Sequence, residues 1–363
     1  MDLLELDRAD VYQNLTVFHL ITNTTAILTI IVNAFLFFIV ARYSAPEIGN
    51  YKYLIICFSI FAIFYGIVDL VVQPVTYCTG HAFGFFATSF LRHSSHEMQI
   101  ITSFYPGAYS MSLFLLLLHF IYRYFVVCKR PLLRWFAFPR CMIWVLLFGL
   151  YSYNYTFVIF LFTDPSKEDR DYVKSFFLET YNVDSHKVAM IIGKFFDETP
   201  NGRVPRKKDI LASANLIFLV QIVLFAIFYI LYKLVRALKG LELSMSKRSR
   251  RLHIQFFQAL SLQLFLPLIT AFLPVGMLYF FPFLGIEMGI YSNVIAILLS
   301  FQMLLDACAT FLIIRDYRRA VSRIFLMFCA KRFIRINNQS QLSTSDLTRR
   351  KSDLTTPAQN SIL

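Results

Sequence analysis

The sequence predicts an all-α fold, a bundle of seven membrane-crossing helices. Three observations carry that prediction: seven long apolar stretches, a near absence of charge inside them, and basic residues gathered on alternate connections. A bilayer core of about 30 Å needs about 20 apolar residues as a helix. The stretches are Val17–Val40, Tyr53–Thr76, Ile100–Val127, Cys141–Thr163, Ile210–Tyr232, Ile254–Phe281 and Ile290–Ile314. Lipid offers the backbone no hydrogen bonds, so a spanning segment must be helical or part of a closed barrel. Barrel strands alternate apolar and polar residues over about 10 positions. These runs are continuous.

The net charge of +13 could suggest a nucleic-acid partner, but the positions of the charges argue for no nucleic acid. The connections after spans one, three and five carry Arg42 and Lys52; Lys129, Arg130, Arg134 and Arg140; then Lys233, Arg236, Lys239, Lys247, Arg248, Arg250 and Arg251. The other side has Arg8, Arg92 and no basic residue between Pro282 and Gly289. The long fourth connection holds nine basic residues balanced by nine acidic ones, and long loops translocate largely regardless of charge. Basic loops stay cytoplasmic, so the N-terminus is expected outside and the C-terminus inside. The first residues, with Asp2, Glu5, Asp7 and Asp10, lack the basic start of a cleaved signal; span one is expected to remain as an anchor.

The expected organisation is an extracellular N-terminus (1–16), a seven-transmembrane domain (17–314), a juxtamembrane amphipathic basic helix (315–336) and a disordered cytoplasmic tail (337–363) rich in Ser and Thr. In the juxtamembrane segment Arg315, Arg318, Arg319, Arg323, Lys331, Arg332 and Arg335 flank apolar residues, a pattern that suits anionic membrane lipids. Cys329 is a candidate palmitoylation site there, with a buried thiol as the plainer alternative. Asn14 begins an outer glycosylation triplet. Of six cysteines only Cys78 falls outside, so no outer intrachain disulfide is expected. The long fourth connection, Asp164–Asp209, has Val188, Ile191, Ile192, Phe195 and Phe196 at roughly helical spacing. A short amphipathic helix over Val183–Phe196 is expected to lie across the outer mouth.

Three charged residues fall within the spans: Asp69, Arg123 and Asp306. Each costs about 2.5–3.5 kcal/mol at a helix centre on insertion scales, and such residues usually mark function. Arg123 lies near the cytoplasmic end of span three, within His119-Phe120-Ile121-Tyr122-Arg123-Tyr124. It either snorkels to the headgroups or, held between Tyr122 and Tyr124, serves as a switch that bonds inward in one state and to a partner in another. Asp306 sits in the inner half of span seven and is expected to meet a polar group of a neighbouring helix. Asp69 shares a face with Gln73 and could floor an outer cavity. Pro267 and Pro274 interrupt span six, and a kink at Pro267 would let its cytoplasmic end swing.

Enzymes that work inside membranes need clustered ligands or acids, and the two spanning histidines, His19 and His119, fall near opposite faces. No Gly-rich phosphate loop occurs, and no cofactor or catalytic residue is expected. Paired broken helices of a transporter and polar rings of a channel are not visible either.

The Tyr122-Arg123-Tyr124 end of span three, Ile314-Arg315-Asp316-Tyr317-Arg318-Arg319 after span seven, and Gly49-Asn50-Tyr51-Lys52-Tyr53-Leu54 with Phe61–Asp69 and Pro74 together resemble the nematode serpentine chemoreceptors of the Str class. The resemblance covers residues 10–335. It implies a G-protein-coupled odorant-type receptor in the plasma membrane of sensory cilia, with a small-molecule ligand and a heterotrimeric G protein as partners. Arg123 takes the place of the arginine in the Asp-Arg-Tyr motif of rhodopsin-like receptors, with Tyr122 where the acid would stand. Tyr122, Arg123, Tyr124, Pro267, Asp306, Tyr317 and Arg318 are then the coupling and switch residues. Asp69, Gln73, Tyr109 and Gln263 are the candidate polar contacts for a small, apolar ligand. The rival readings are a seven-helix ion channel or transporter, and a receptor-like protein that aids trafficking without signalling.

Overall fold

The computed structural model describes residues 15–44, 49–93, 95–162, 165–200, 202–240, 247–324 and 326–327. Asn14, Cys329 and the tail lie outside the described residues. Seven helices are long and apolar enough to cross a membrane: α1 (Thr16–Tyr43), α2 (Tyr51–Val72), α3 (His96–Cys128), α4 (Met142–Phe162), α6 (Lys207–Gly240), α7 with α8 (Lys247–Pro267 and Leu273–Leu284) and α9 (Asn293–Ile313). The fold class expected from the sequence is therefore found. Side chains such as Phe225, 79% exposed, line the outer wall, as lipid contact requires.

Span two ends earlier than expected. Pro74 has no backbone N–H and pushes the residue before it away from helical geometry. Gln73 accordingly takes φ 48°, its N–H still capping Asp69 O at 2.8 Å. The chain then forms β1 (Pro74–Thr79) and β2 (Ala82–Ala87), which with β3 (Met190–Lys194) make a three-stranded antiparallel sheet in the order β1-β2-β3. A second hairpin, β4 (Phe196–Thr199) and β5 (Gly202–Pro205), is exposed over most of its length.

The helix expected over Val183–Phe196 is not there. That stretch supplies β3 and the start of β4, and the amphipathic helix is α5, Lys167–Tyr181. The reason is burial on both faces. Successive residues of the sheet point to opposite sides. Phe83, Phe85, Cys78 and Ile191 join the core of the helix bundle, while Tyr77, Phe86, Met190 and Ile192 join a second core under α5. A strand buried on both sides shows no alternation, and a short apolar run of that kind cannot be told from a helix by spacing. α5 announces itself differently: Ser166 and Asp169 form a reciprocal capping box, and Val173, Phe177 and Tyr181 recur one turn apart. Burial of Phe86, Phe177, Tyr77 and Tyr181 contributes about 1.5–3 kcal/mol each.

The sheet and α5 thus stack as two layers over one end of the bundle. A third core lies at the opposite end, where Leu36, Ile39, Tyr51, Ile55, Tyr122, Ala307 and Tyr317 meet. Beyond α9 a further helix, α10, spans residues 315–324.

Candidate functional site

Two sites occupy the two ends of the bundle. Under the sheet lies a cavity with about 80 Å³ of free space. Its walls come from α3 (Tyr105, Tyr109), α4 (Tyr155, Ile159), α6 (Ser213, Leu216), α8 (Leu278, Tyr279) and α9 (Ile295, Leu299), and β2 and β3 form its ceiling. Two glycines set its shape. A Cβ on Gly107 would collide with the Thr156 hydroxyl, so α3 and α4 touch there and hold Tyr109 and Tyr155. A Cβ on Gly84 would overlap Ile191 O. The remaining ceiling is aromatic: Phe83 packs on Tyr279 at 4.9 Å and Phe85 on Tyr105 at 5.6 Å between ring centroids.

Hydrogen bonds pin this roof to the helices. The Gln99 side chain brackets Met190, accepting from its N–H at 3.2 Å and donating to its carbonyl. Ser292 and Thr76 exchange hydroxyl-to-carbonyl bonds, Ser292 Oγ donating at 2.9 Å. His81 Nδ1 lies 2.8 Å from Pro282 O, and Gly80 N donates to Glu287 at 3.0 Å. The Cys78 thiol is buried 3.6 Å from Ile286 O, and burial pushes its pKa up to about 11.

Above the sheet, Arg206 gathers three carboxylates. It bonds Asp169 Oδ1, with Asp197 at 3.5 Å and Asp209 at 3.4 Å, and Lys194 meets Asp197 at 2.9 Å. Burial raises the Asp169 carboxyl, but Arg206 and Ser166 outweigh it and hold it below its ordinary value. Burial lowers Arg206, and Asp169 more than restores it.

At the far end Arg123 is buried, and its Cζ lies 3.6 Å from the centroid of the Tyr51 ring. Tyr51 in turn stacks on Tyr122 at 5.5 Å. The guanidinium is therefore held by a phenol from α2 together with Tyr122, while Tyr124 is half-buried and packs toward the bundle core. Tyr317 is fully buried, its hydroxyl 3.1 Å from Ser44 Oγ; burial pushes its pKa up to about 12, the Ser44 bond opposing. Arg318 donates to Leu312 O at 3.0 Å, closing the end of α9. Just above this cluster lies a small void, about 10 Å³, lined by Tyr51, His119, Gln263, Asp306 and Thr310 among others. Gln263 Nε2 donates to Thr310 Oγ1 at 3.0 Å, and Asp306 Oδ1 is buried without a hydrogen-bond partner among the described residues. Pro267 closes α7, and a π-helical turn, Leu268–Phe272, follows before α8.

Of the four candidate ligand contacts, Tyr109 lines the roofed cavity. Asp69, Gln73 and Gln263 do not, which corrects the expectation that Asp69 and Gln73 floor an outer cavity and that Gln263 is a polar contact in it. Gln73, turned by its left-handed backbone, donates instead to Asn23 Oδ1 at 3.3 Å. Asp69 is buried in α2 within electrostatic reach of Tyr105 but does not line the cavity, and Gln263 lies too deep, beside Asp306. Sequence reasoning missed Tyr155, Tyr279 and Tyr51. The first two carry no local signal; Tyr51 stood within one of the stretches on which the Str resemblance rests.

Seven apolar helices, with a lidded cavity at one end and a buried arginine at the other, make a seven-transmembrane bundle. Residues 18–322 match the family model of the serpentine type 7TM GPCR chemoreceptors, Str, and the chain belongs to that family. It is 27% identical over 311 residues to serpentine receptor class r-10 of Caenorhabditis briggsae, covering 83% of this chain and 88% of that relative. It is 25% identical over 306 residues to G-protein coupled receptor str-33 of Caenorhabditis elegans, covering 83% and 89% respectively. The resemblance read from the sequence is thereby borne out. The chain is a multi-pass membrane protein of a chemoreceptor family.

Proposed function

We propose that this chain is an odorant-type chemosensory receptor that binds a small, largely apolar molecule in the roofed cavity and signals to a heterotrimeric G protein. The observation that carries the reading is the cavity itself. Its walls are aromatic and aliphatic, with the Tyr109, Tyr155 and Tyr279 side chains and Ser213 as the polar handles. In this reading the sheet end faces outward and the basic end inward, as the distribution of lysine and arginine favours. Ligand binding shifts the balance toward a state in which α7 swings about Pro267 and its π turn, by no more than the ligand's differential affinity for the two states. Arg123 then leaves Tyr51 and, with Arg236 and the basic residues of α10, faces the G protein. Arg315, Arg319 and Arg323 of α10 meet anionic headgroups, each basic residue adding about 1 kcal/mol. The receptor works at the plasma membrane, in the cilium of a chemosensory neuron.

The test is expression in cultured cells with a calcium or cyclic-nucleotide readout against a panel of volatile alcohols, ketones and esters. The expected result is a concentration-dependent response that Leu216→Trp, which fills the cavity, abolishes while surface delivery is kept. A response that survives this variant removes the cavity from the reading. An epitope before Thr16 that is hidden from antibody in unpermeabilised cells removes the orientation.

A further inference from the structure

The cavity is closed on the side where a soluble ligand would enter. Its ceiling residues Phe83, Gly84, Phe85 and Ile191 are buried, and α5 covers the sheet a second time. The wall has an opening instead. α6 packs closely along α3 and α4 but makes no comparable backbone approach to α7 or α8. The cleft left between α6 and α8 holds about 90 Å³ of free space. Tyr109, Tyr155, Leu216, Val275 and Tyr279 line both this cleft and the roofed cavity, so the two adjoin through shared walls.

The outer frame of the cleft is formed by Ile217, Gln221 and Gly276, all exposed on the lipid side. Gly276 has no side chain, and a Cβ built there meets nothing within 4 Å, so the gap is not filled from α8. Gln221 is the unexpected member. Fourteen residues after Lys207, it lies about 21 Å along the axis from that end of the helix, near the middle of the bilayer. Its neighbours on the helix surface, Phe218, Ile222 and Phe225, are the apolar residues that hydrocarbon favours. Lipid tails cannot hydrogen-bond an amide, and polar side chains at this depth usually serve a pathway or a partner. The π turn Leu268–Phe272 ends on the edge of the same cleft, with Phe272 in its wall.

We propose that the cleft between α6 and α8 is a lateral binding site and doorway for a membrane-dissolved amphiphile: a small apolar molecule with one hydroxyl or carbonyl group, which Gln221 hydrogen-bonds on its way to the roofed cavity. The proposal rests on the cavity reading above and names the route and chemistry of its ligand. Partition into the bilayer concentrates such a molecule on the lipid side, where the cleft opens, and Gln221 offers its polar group the hydrogen bond that the hydrocarbon centre lacks; the closed roof then presents no obstacle.

The test uses the full chain in lipid nanodiscs, a diazirine-bearing octanol as photoprobe, unlabelled octanol as competitor, and mass spectrometry to map adducts. Adducts that octanol displaces are expected both on cleft residues (Gln221, Val220) and on cavity residues behind them (Tyr105, Ile295). Gly276→Trp, and separately Ile217→Trp, should lower both sets about tenfold, equivalent to about 1.4 kcal/mol of binding. Two lipid-facing variants keep the test informative where one fails to fold. Gln221→Leu should weaken displacement by octanol and leave displacement by octane unchanged. Cavity adducts that persist in both tryptophan variants overturn the doorway and leave the cavity reading standing. Cleft adducts that octanol does not displace mark ordinary acyl-chain contact and overturn the site. Displaceable cleft adducts with none in the cavity of the unaltered chain overturn the doorway and count against the cavity reading.

Discussion

The Arg123 guanidinium lies over the face of the Tyr51 ring, 3.6 Å from its centroid, joining α3 to the start of α2. A cation over an aromatic face in a desolvated site contributes about 1–2 kcal/mol. Under the proposed mechanism that contact holds the resting state. Tyr51→Leu should therefore raise ligand-independent signalling about five- to thirtyfold, the equilibrium shift that 1–2 kcal/mol produces. Tyr51→Phe keeps the ring but removes the hydroxyl that also bonds Arg123, so it should raise the baseline less than Tyr51→Leu does. The measurement is basal second-messenger level normalised to surface expression. Equal baselines in all three chains would remove Tyr51 as the restraint.

Tyr109 and Leu216 separate hydrogen bonding from space in the roofed cavity, since both line it. Tyr109→Phe deletes one hydroxyl. For a ligand that bonds it, potency should fall about three- to tenfold, matching about 1 kcal/mol for a hydrogen bond. Leu216→Trp adds bulk that a small cavity absorbs poorly, at a stability cost of about 1–3 kcal/mol. It should abolish the response rather than shift it. Concentration–response curves tell the two apart.

Cys78 is buried in β1 with its thiol near Ile286 O and its pKa pushed up to about 11. The thiolate is the reactive form, so at about pH 8 only about one Cys78 in a thousand is reactive. A water-soluble maleimide applied to the folded receptor should leave Cys78 unmodified and should label it after denaturation. Rapid labelling of the native chain would show that the roof opens at Cys78.

The seven spans were legible because lipid imposes a rule on every residue of them: apolar, continuous and about 20 long. The arginine at the end of span three was legible for the same reason, as a charge where charge is costly. The roof was not. Met190, Ile191 and Ile192 are all apolar because the sheet has a core on each face, and the alternation that marks a strand is lost. Tyr51 was not singled out either, because only helix phase sets it apart from Tyr53. Two residues are about 200° around a helix at 3.6 per turn, enough to bury Tyr51 to 4% exposure and leave Tyr53 at 58%. Gln73 failed as a cavity residue through a single local event, the proline after it.

The Arg206–Asp169 pair gives the roof an acid-sensitive clasp. Asp169 caps α5 through Ser166, and Arg206 precedes α6, so the pair ties the amphipathic helix to the bundle. Asp197 and Asp209 also face Arg206, and Lys194 faces Asp197. Unfolded, the Asp169 carboxyl titrates at its ordinary value of 3.8; in the folded chain it titrates lower. Its contribution is thus fully present above about pH 3.8 and is lost as pH falls through the lower native value. At neutral pH, Asp169→Asn should cost about 1–3 kcal/mol locally, a charge-assisted bond reduced by partial solvent screening. Amide hydrogen exchange across α5 and β3 reads this directly. The variant should exchange about five- to 150-fold faster at neutral pH and gain no further acid dependence near pH 3.8. If the unaltered chain and Asp169→Asn exchange alike at neutral pH, the clasp contributes nothing to holding α5 over the cavity.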